Sequence, residues 1–181
     1  MAAVFSPCRT WRYRLDREFL FGGPTVAFML HNPSTADEQS EDPTSRRGIG
    51  FARAWGAGRL VFVNPWAFCA TDKADLWKAP DPVGPENDRH IAEVAREVAQ
   101  TGGYFIAAWG SVSPPKARRT EALSRLKAVE SVIRGAGCPL KALAVTTAGE
   151  PRHPLYLPAE AAPFDWTRRQ AADVTPTPQE A

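Results

Sequence analysis

Two asparagine–proline pairs and one histidine stand out as residues that can do chemistry. Asn32-Pro33 directly follows a continuous apolar run, Thr25-Val-Ala-Phe-Met-Leu-His31. A side-chain amide at such a place can hold a water through its carbonyl oxygen. The proline fixes the backbone, so the amide is aimed. Asn64-Pro65 follows a second apolar run, Arg59-Leu-Val-Phe-Val63. Its amide presents a donor and an acceptor side by side, which can pair with one edge of a nucleobase. His153, between Pro151 and Pro154, can donate to an oxyanion or move a proton. Each has an ordinary competing reading. Asn-Pro is a common turn dipeptide, and a lone histidine is more often structural. Two Asn-Pro pairs at equivalent strand ends are harder to dismiss, because both would open onto one crevice.

Other side chains join as weaker candidates. Trp66, Phe68 and Trp109 can stack on a ring, although core packing competes, most strongly for Trp109. Ser34 and Thr35 add hydroxyls to the first crevice. His31 lies there too, whereas His90 reads as an exposed residue of a first helical turn. Asp37, Glu38, Glu41 and Asp42 read as loop solvation and helix capping. The three cysteines, Cys8, Cys69 and Cys138, are far apart with no C-x-x-C spacing, so neither a disulfide framework nor a zinc site is expected. No glycine-rich phosphate loop, H-E-x-x-H or G-x-S-x-G is present, and no metal or cofactor is expected.

The elements that must position these residues are legible from apolar runs and breakers. Thr25–His31, Arg59–Val63, Tyr104–Trp109 and Leu140–Thr146 read as strands buried on both faces. Trp11–Phe21 reads as an edge strand or hairpin arm. Asp42-Pro43 starts a helix ended by Gly56 and Gly58. Pro85 opens a second helix, with Ile91, Val94, Ala95 and Val98 on one side. Thr120 caps a third, ended by Gly135. Strands alternating with amphipathic helices imply a parallel sheet covered on both faces. The expected fold is therefore α/β, a three-layer α/β/α sandwich around a mainly parallel four-stranded sheet. Ligands of such sheets bind beyond the carboxyl ends of the strands. The long segment from Trp66 to Gly84 is a candidate functional loop.

Bulk properties bound the rest. At 181 residues the chain is one domain of ordinary size. We expect it to span residues 1–166, with 167–181 a disordered tail rich in Ala, Pro, Glu and Thr. Hydrophobic residues at 44% and charged residues at 23% mark a soluble globular protein. No apolar run nears the roughly 20 residues of a membrane span, and Met1–Pro7 does not read as a signal peptide. The expected location is the cytoplasm. A net charge of +2 does not announce a nucleic-acid binder, although Arg46–Arg47, Lys116/Arg118/Arg119 and Arg168–Arg169 are locally basic.

In their order, the strand-end peptides resemble the uracil-DNA glycosylase superfamily. The elements are Leu30-His-Asn-Pro-Ser-Thr35, Val61-Phe-Val-Asn-Pro65, Ile106-Ala-Ala-Trp-Gly110 and Glu150-Pro-Arg-His-Pro-Leu155. A closer resemblance is to the family called domain of unknown function 1643. It is carried by Asn32-Pro-Ser-Thr-Ala-Asp37, Asp42-Pro-Thr44, Val63-Asn-Pro-Trp-Ala67, Ala108-Trp-Gly110 and His153-Pro-Leu-Tyr-Leu157. The glycosylase resemblance implies that Asn32 positions an attacking water and His153 stabilises a departing base. Asn64 would read the base, Phe68 would stack on it, and Ser34, Thr35, Trp66 and Gly110 would line the pocket. The first motif departs from the glycosylase pattern, with His31, Ser34 and Thr35 where glycines are usual, and Leu155 replaces a serine in the last. The implied function is nucleobase N-glycosidase action on a modified or damaged base in DNA. The alternatives are an enzyme of free nucleotides or of DNA hypermodification, and a noncatalytic base or nucleic-acid reader. DNA or a nucleotide is the expected partner; oligomeric state is open.

Overall fold

A computed structural model describes residues 2–20, 22–34, 36–37 and 39–168. The elements are β1 (Ala2–Phe5), β2 (Arg12–Glu18), β3 (Thr25–Met29), α1 (Pro43–Ala54), β4 (Arg59–Val63), α2 (Lys73–Lys78), α3 (Asn87–Gln100), β5 (Tyr104–Ala107), α4 (Arg119–Gly135), β6 (Leu140–Ala142) and β7 (Phe164–Asp165). They form a mixed α/β fold on one sheet of order β1-β2-β4-β3-β5-β6-β7. The sheet has seven strands, not the expected four. The four expected strands are its parallel centre, β4-β3-β5-β6. β1, β2 and β7 are added antiparallel. β1 and β7 are short, and so give little periodic signal.

Period-two alternation explains why the centre is apolar throughout. Ala27, Met29, Val61, Val63, Phe105 and Ala107 face the side packed by α3 and α4, through Ile91, Val94, Val98, Leu126, Val129 and Ile133. Val26, Phe28, Leu60, Phe62 and Ile106 face the other side, with Phe51 and Ala52 of α1. α1 lies very close to the sheet at Gly48, where an added Cβ would fall 2.6 Å from the Phe62 ring. Only glycine allows that approach.

Connectivity places the crevice. From β3 the chain crosses through α1 to β4 on one side; from β4 it returns past β3, through α3, to β5 on the other. The strand order reverses at β3, so the carboxyl ends of β3 and β5 flank a topological switch point, where open α/β sheets bind ligands. His31 and Asn32 follow β3; Gly110 follows β5.

Some boundaries differ from expectation. Asp42 does cap α1, accepting from the Ser45 N–H at 2.7 Å, with Pro43 as first residue. Thr120 is not a cap: α4 begins at Arg119, fed by a 3₁₀ turn at Lys116–Arg118, and no side chain caps it. α3 begins at Asn87, two residues after Pro85. The expected loop 66–84 contains α2, capped by Asp72 accepting from the Ala74 N–H. The last central strand is regular only over Leu140–Ala142, after which Val145 bridges back to Pro151. Within the expected arm Trp11–Phe21, β2 is the inner strand of a hairpin, pairing β1 on one side and β4 on the other, and Phe21 lies outside the described residues. Most of the expected tail, 169–181, and Thr35 and Glu38 lie outside the described residues. Among the described residues, no helix is long and apolar enough to cross a membrane.

Candidate functional site

Two adjoining hollows open beyond the carboxyl ends of β3 and β5. The smaller, about 390 Å³, is walled by Lys73, Ser111, Thr146, Arg152, His153 and Tyr156, with Thr44, Gly110 and Leu155. The larger, about 710 Å³, is walled by His31, Lys73, Trp77, Ser111, Pro114 and Pro115, with Ala74, Lys78 and Ser113. Lys73 and Ser111 belong to both walls and form the boundary between them. These volumes are in the range of small-molecule sites.

Asn32 is fully engaged. Its Nδ2 donates to the Pro33 carbonyl at 3.0 Å and the Ala70 carbonyl at 2.7 Å. Those two acceptors fix the amide, so Oδ1 must be the atom 2.8 Å from His31 Nδ1. The reverse orientation would set an oxygen against two carbonyl oxygens. His31 Nδ1–H is therefore the donor to Asn32, and neutral His31 keeps an acceptor lone pair on Nε2. That Nε2 is buried with no partner among the described residues. The residue is 4% exposed and its ring packs against Trp66 and Trp77. Burial pushes its pKa down from 6.5 to about 4, opposed by the Asn32 bond and assisted by Lys73.

His153 is held the other way round. The Leu155 N–H donates to its Nδ1 at 3.4 Å, so the neutral ring carries its proton on Nε2. Its pKa is also lowered to about 4, first by burial and then by Lys73 and His31, with Asp42 opposing. The two rings are near enough to feel each other, and at pH 7 both are neutral. Gly110 sits against His153 at φ +70°, and a Cβ there would meet the His153 Cβ at 3.1 Å.

The expected site residues are thus only partly assembled. His153 and Gly110 line the smaller hollow. Asn32 stands behind His31, bound to its ring rather than lining either wall. Asn64 is 1% exposed and lines neither hollow; its carbonyl accepts from Asn87 Nδ2 at 2.9 Å. Trp66 is buried behind His31. Phe68 is half-buried beside Trp11, which its strand bridge joins, and lines neither hollow. Ser34 is exposed outside both, and Thr35 falls outside the described residues. His90 is buried rather than exposed, stacked on Tyr13 at 4.9 Å. Trp109 is buried edge-on against Trp166.

Sequence reading missed Lys73, Arg152, Ser111, Thr44 and Thr146. The signals were present: Lys73 lies in the long loop singled out as functional, Arg152 adjoins His153, and Ser111 adjoins Gly110. Among the described residues, no group of three His, Cys, Asp or Glu is placed to hold a metal ion.

The fold and this double hollow define a mixed α/β protein with a polar, imidazole-bearing site at a sheet switch point. The chain belongs to the family described as protein of unknown function (DUF1643), whose model matches residues 12–155. No curated protein and no solved structure matches it.

Proposed function

We propose that the chain hydrolyses the bond between a modified or damaged nucleobase and its sugar, within a three-layer α/β/α domain of the uracil-DNA glycosylase kind. Two features support the fold half of this reading. The four parallel strands carry the four resembling peptides in the same order, and helices pack on both faces of the sheet. The observation that carries the chemistry is the pair of imidazoles with opposite tautomers in adjoining walls.

Glycosidic hydrolysis needs a proton acceptor on the water side and a donor on the base side. In this reading a shift of the hollow's wall opens the buried His31 Nε2 to water, from which it takes a proton as the oxygen bonds to the sugar's anomeric carbon. The carbon–nitrogen bond breaks with its electron pair going to the base. His153 Nε2–H donates to the base atom that takes up the charge, and the proton on His31 is returned to the departed base through solvent. The water-holding role moves from Asn32 to His31, because both Asn32 amide hydrogens and its oxygen are already engaged. Asn32 is then a positioning residue that fixes the His31 tautomer. Base reading is not given to Asn64, which lines neither hollow.

The test is incubation with oligonucleotides and nucleotides carrying a broad panel of modified bases, read as abasic sites or released base. Removing one preorganised donor costs about 10²–10³ in rate, so His153→Ala should slow release by that factor. If no substrate in the panel yields product, or product forms equally well with both histidines replaced, the reading fails.

A further inference from the structure

Among the described residues, the wall of the smaller hollow holds two cations and no carboxylate. Lys73 and Arg152 share its wall with the hydroxyls of Thr44, Ser111 and Thr146. Neither cation makes a side-chain hydrogen bond or ion pair among the described residues. Arg14, Arg17, Arg59, Arg125 and Arg168, by contrast, all have carboxylate partners. Asp42 acts on His153 from outside the hollow's wall, and its carboxylate is occupied capping α1. A second observation concerns the adjoining larger hollow. In its wall, across Lys73 and Ser111, stands His31, 4% exposed, with a buried Nε2 that has no partner among the described residues.

Two cations with no partner among the described residues, beside several hydroxyls, suit a dianionic, oxygen-rich group, which both point charges and guanidinium forks bind. We propose that the smaller hollow seats a phosphate monoester through Lys73 and Arg152, with an attached nucleoside reaching past Ser111 into the larger hollow beside His31, Trp77 and Pro114. The substrate class is then a nucleoside monophosphate or a terminally phosphorylated strand, not an internal nucleotide. The phosphate seat stands on its own residues. Only the nucleoside half rests on the reading of the site as one for nucleobases.

The experiment is calorimetric titration of the full chain at low salt with inorganic phosphate, deoxynucleoside 5′-monophosphates, the matching nucleosides, ribose 5-phosphate, and short single strands with and without a 5′-phosphate. A monophosphate should bind about tenfold or more tighter than its nucleoside, and Lys73→Ala and Arg152→Ala should each remove about tenfold. Folding of the variants is checked by circular dichroism. As an independent readout, saturating phosphate should raise the His153 pKa followed by proton NMR, since a bound anion offsets Lys73. Binding of the phosphorylated strand but not the free monophosphate assigns the seat to strand ends; the reverse assigns it to free nucleotides. If ribose 5-phosphate binds as tightly as every monophosphate, the seat stands and the nucleoside half falls. Equal affinity for nucleoside and monophosphate, or unchanged phosphate binding in the double variant, overturns the seat itself.

Discussion

Two charged regions of this molecule are built on opposite principles. Under α3, Arg14, Asp16, Arg59 and Glu97 form a closed network. Arg14 donates to both Asp16 oxygens at 3.0 and 2.9 Å and to both Glu97 oxygens at 2.9 Å. Arg59 bridges the same two acids at 2.6 and 3.3 Å. At the carboxyl ends of β3 and β5, Lys73 and Arg152 face a hollow with no acid in its wall among the described residues. Satisfied charges join β2, β4 and α3 and belong to the fold. Unsatisfied ones contribute little to the fold and are available to a ligand.

The sharpest way to break the comparison is to open the network. Asp16 is nearly buried, with both oxygens taken up by arginines. Asp16→Ala leaves Arg14 and Arg59 sharing the single carboxylate of Glu97, one positive charge in excess, and removing one partner of such a buried network costs about 3 kcal/mol. Urea unfolding should show a loss of that order. A loss below about 1 kcal/mol would mean that the network is surface decoration and the contrast is false.

Next is the pH dependence of stability. His31 is neutral when folded, with its pKa lowered from 6.5 to about 4. Between those values the unfolded chain binds more protons, so stability rises with pH. The contribution is fully present above 6.5 and lost as pH falls toward 4, on the order of 3 kcal/mol for a ring so buried. The Glu97 pKa is lowered too, there because the charged form is favoured, and the sign of the effect is the same. The Arg14 hydrogen bonds hold its pKa below 4.5, so its share is present above 4.5 and is lost only at lower pH. Denaturation midpoints at pH 7.5, 6, 5 and 4.5 should therefore fall first through the site histidines. His31→Gln should flatten that decline by about one proton; an unchanged slope would place the His31 pKa near its ordinary value.

Gly110 gives a smaller, local effect. At φ +70° a side chain costs about 1–2 kcal/mol, and the Cβ would also press on His153 at 3.1 Å. Gly110→Ala should lower stability by about that amount and shift the His153 ring signals in NMR. Gly50, where an added Cβ meets nothing within 4 Å, is the control: Gly50→Ala on α1 should leave those signals in place.

How much of this was legible in sequence follows from the range of the interactions involved. The parallel centre of the sheet was readable because both faces of β3, β4 and β5 are buried, which demands unbroken apolar runs. The hairpin β1–β2 was only half readable, since Arg12, Arg14, Asp16 and Arg17 of β2 are buried in spite of their charge through partners that lie from a few to more than eighty positions away. His153 and Gly110 were found because strand ends announce themselves. Asn32 was found for its position, but its role depends on the Ala70 carbonyl, thirty-eight residues on. Lys73 carried no motif at all; a lone lysine on a short helix becomes notable only when the fold sets it between two hollows.

The smallest expected stability effect is the one that most sharpens the contrast. Lys73 is exposed and Arg152 is exposed, and neither has a partner among the described residues whose loss would be felt. Surface substitutions of this kind fall within about ±0.5 kcal/mol. Lys73→Ala and Arg152→Ala should therefore leave the urea midpoint at pH 7 almost unmoved. At pH 5, Lys73→Ala should be slightly stabilising, because Lys73 is one of the groups that disfavour protonation of His31 and His153, and its removal lets both titrate closer to their unfolded values. Marked destabilisation of either variant at pH 7 would make these cations part of the fold, as Arg14 is, and would erase the distinction between the two regions.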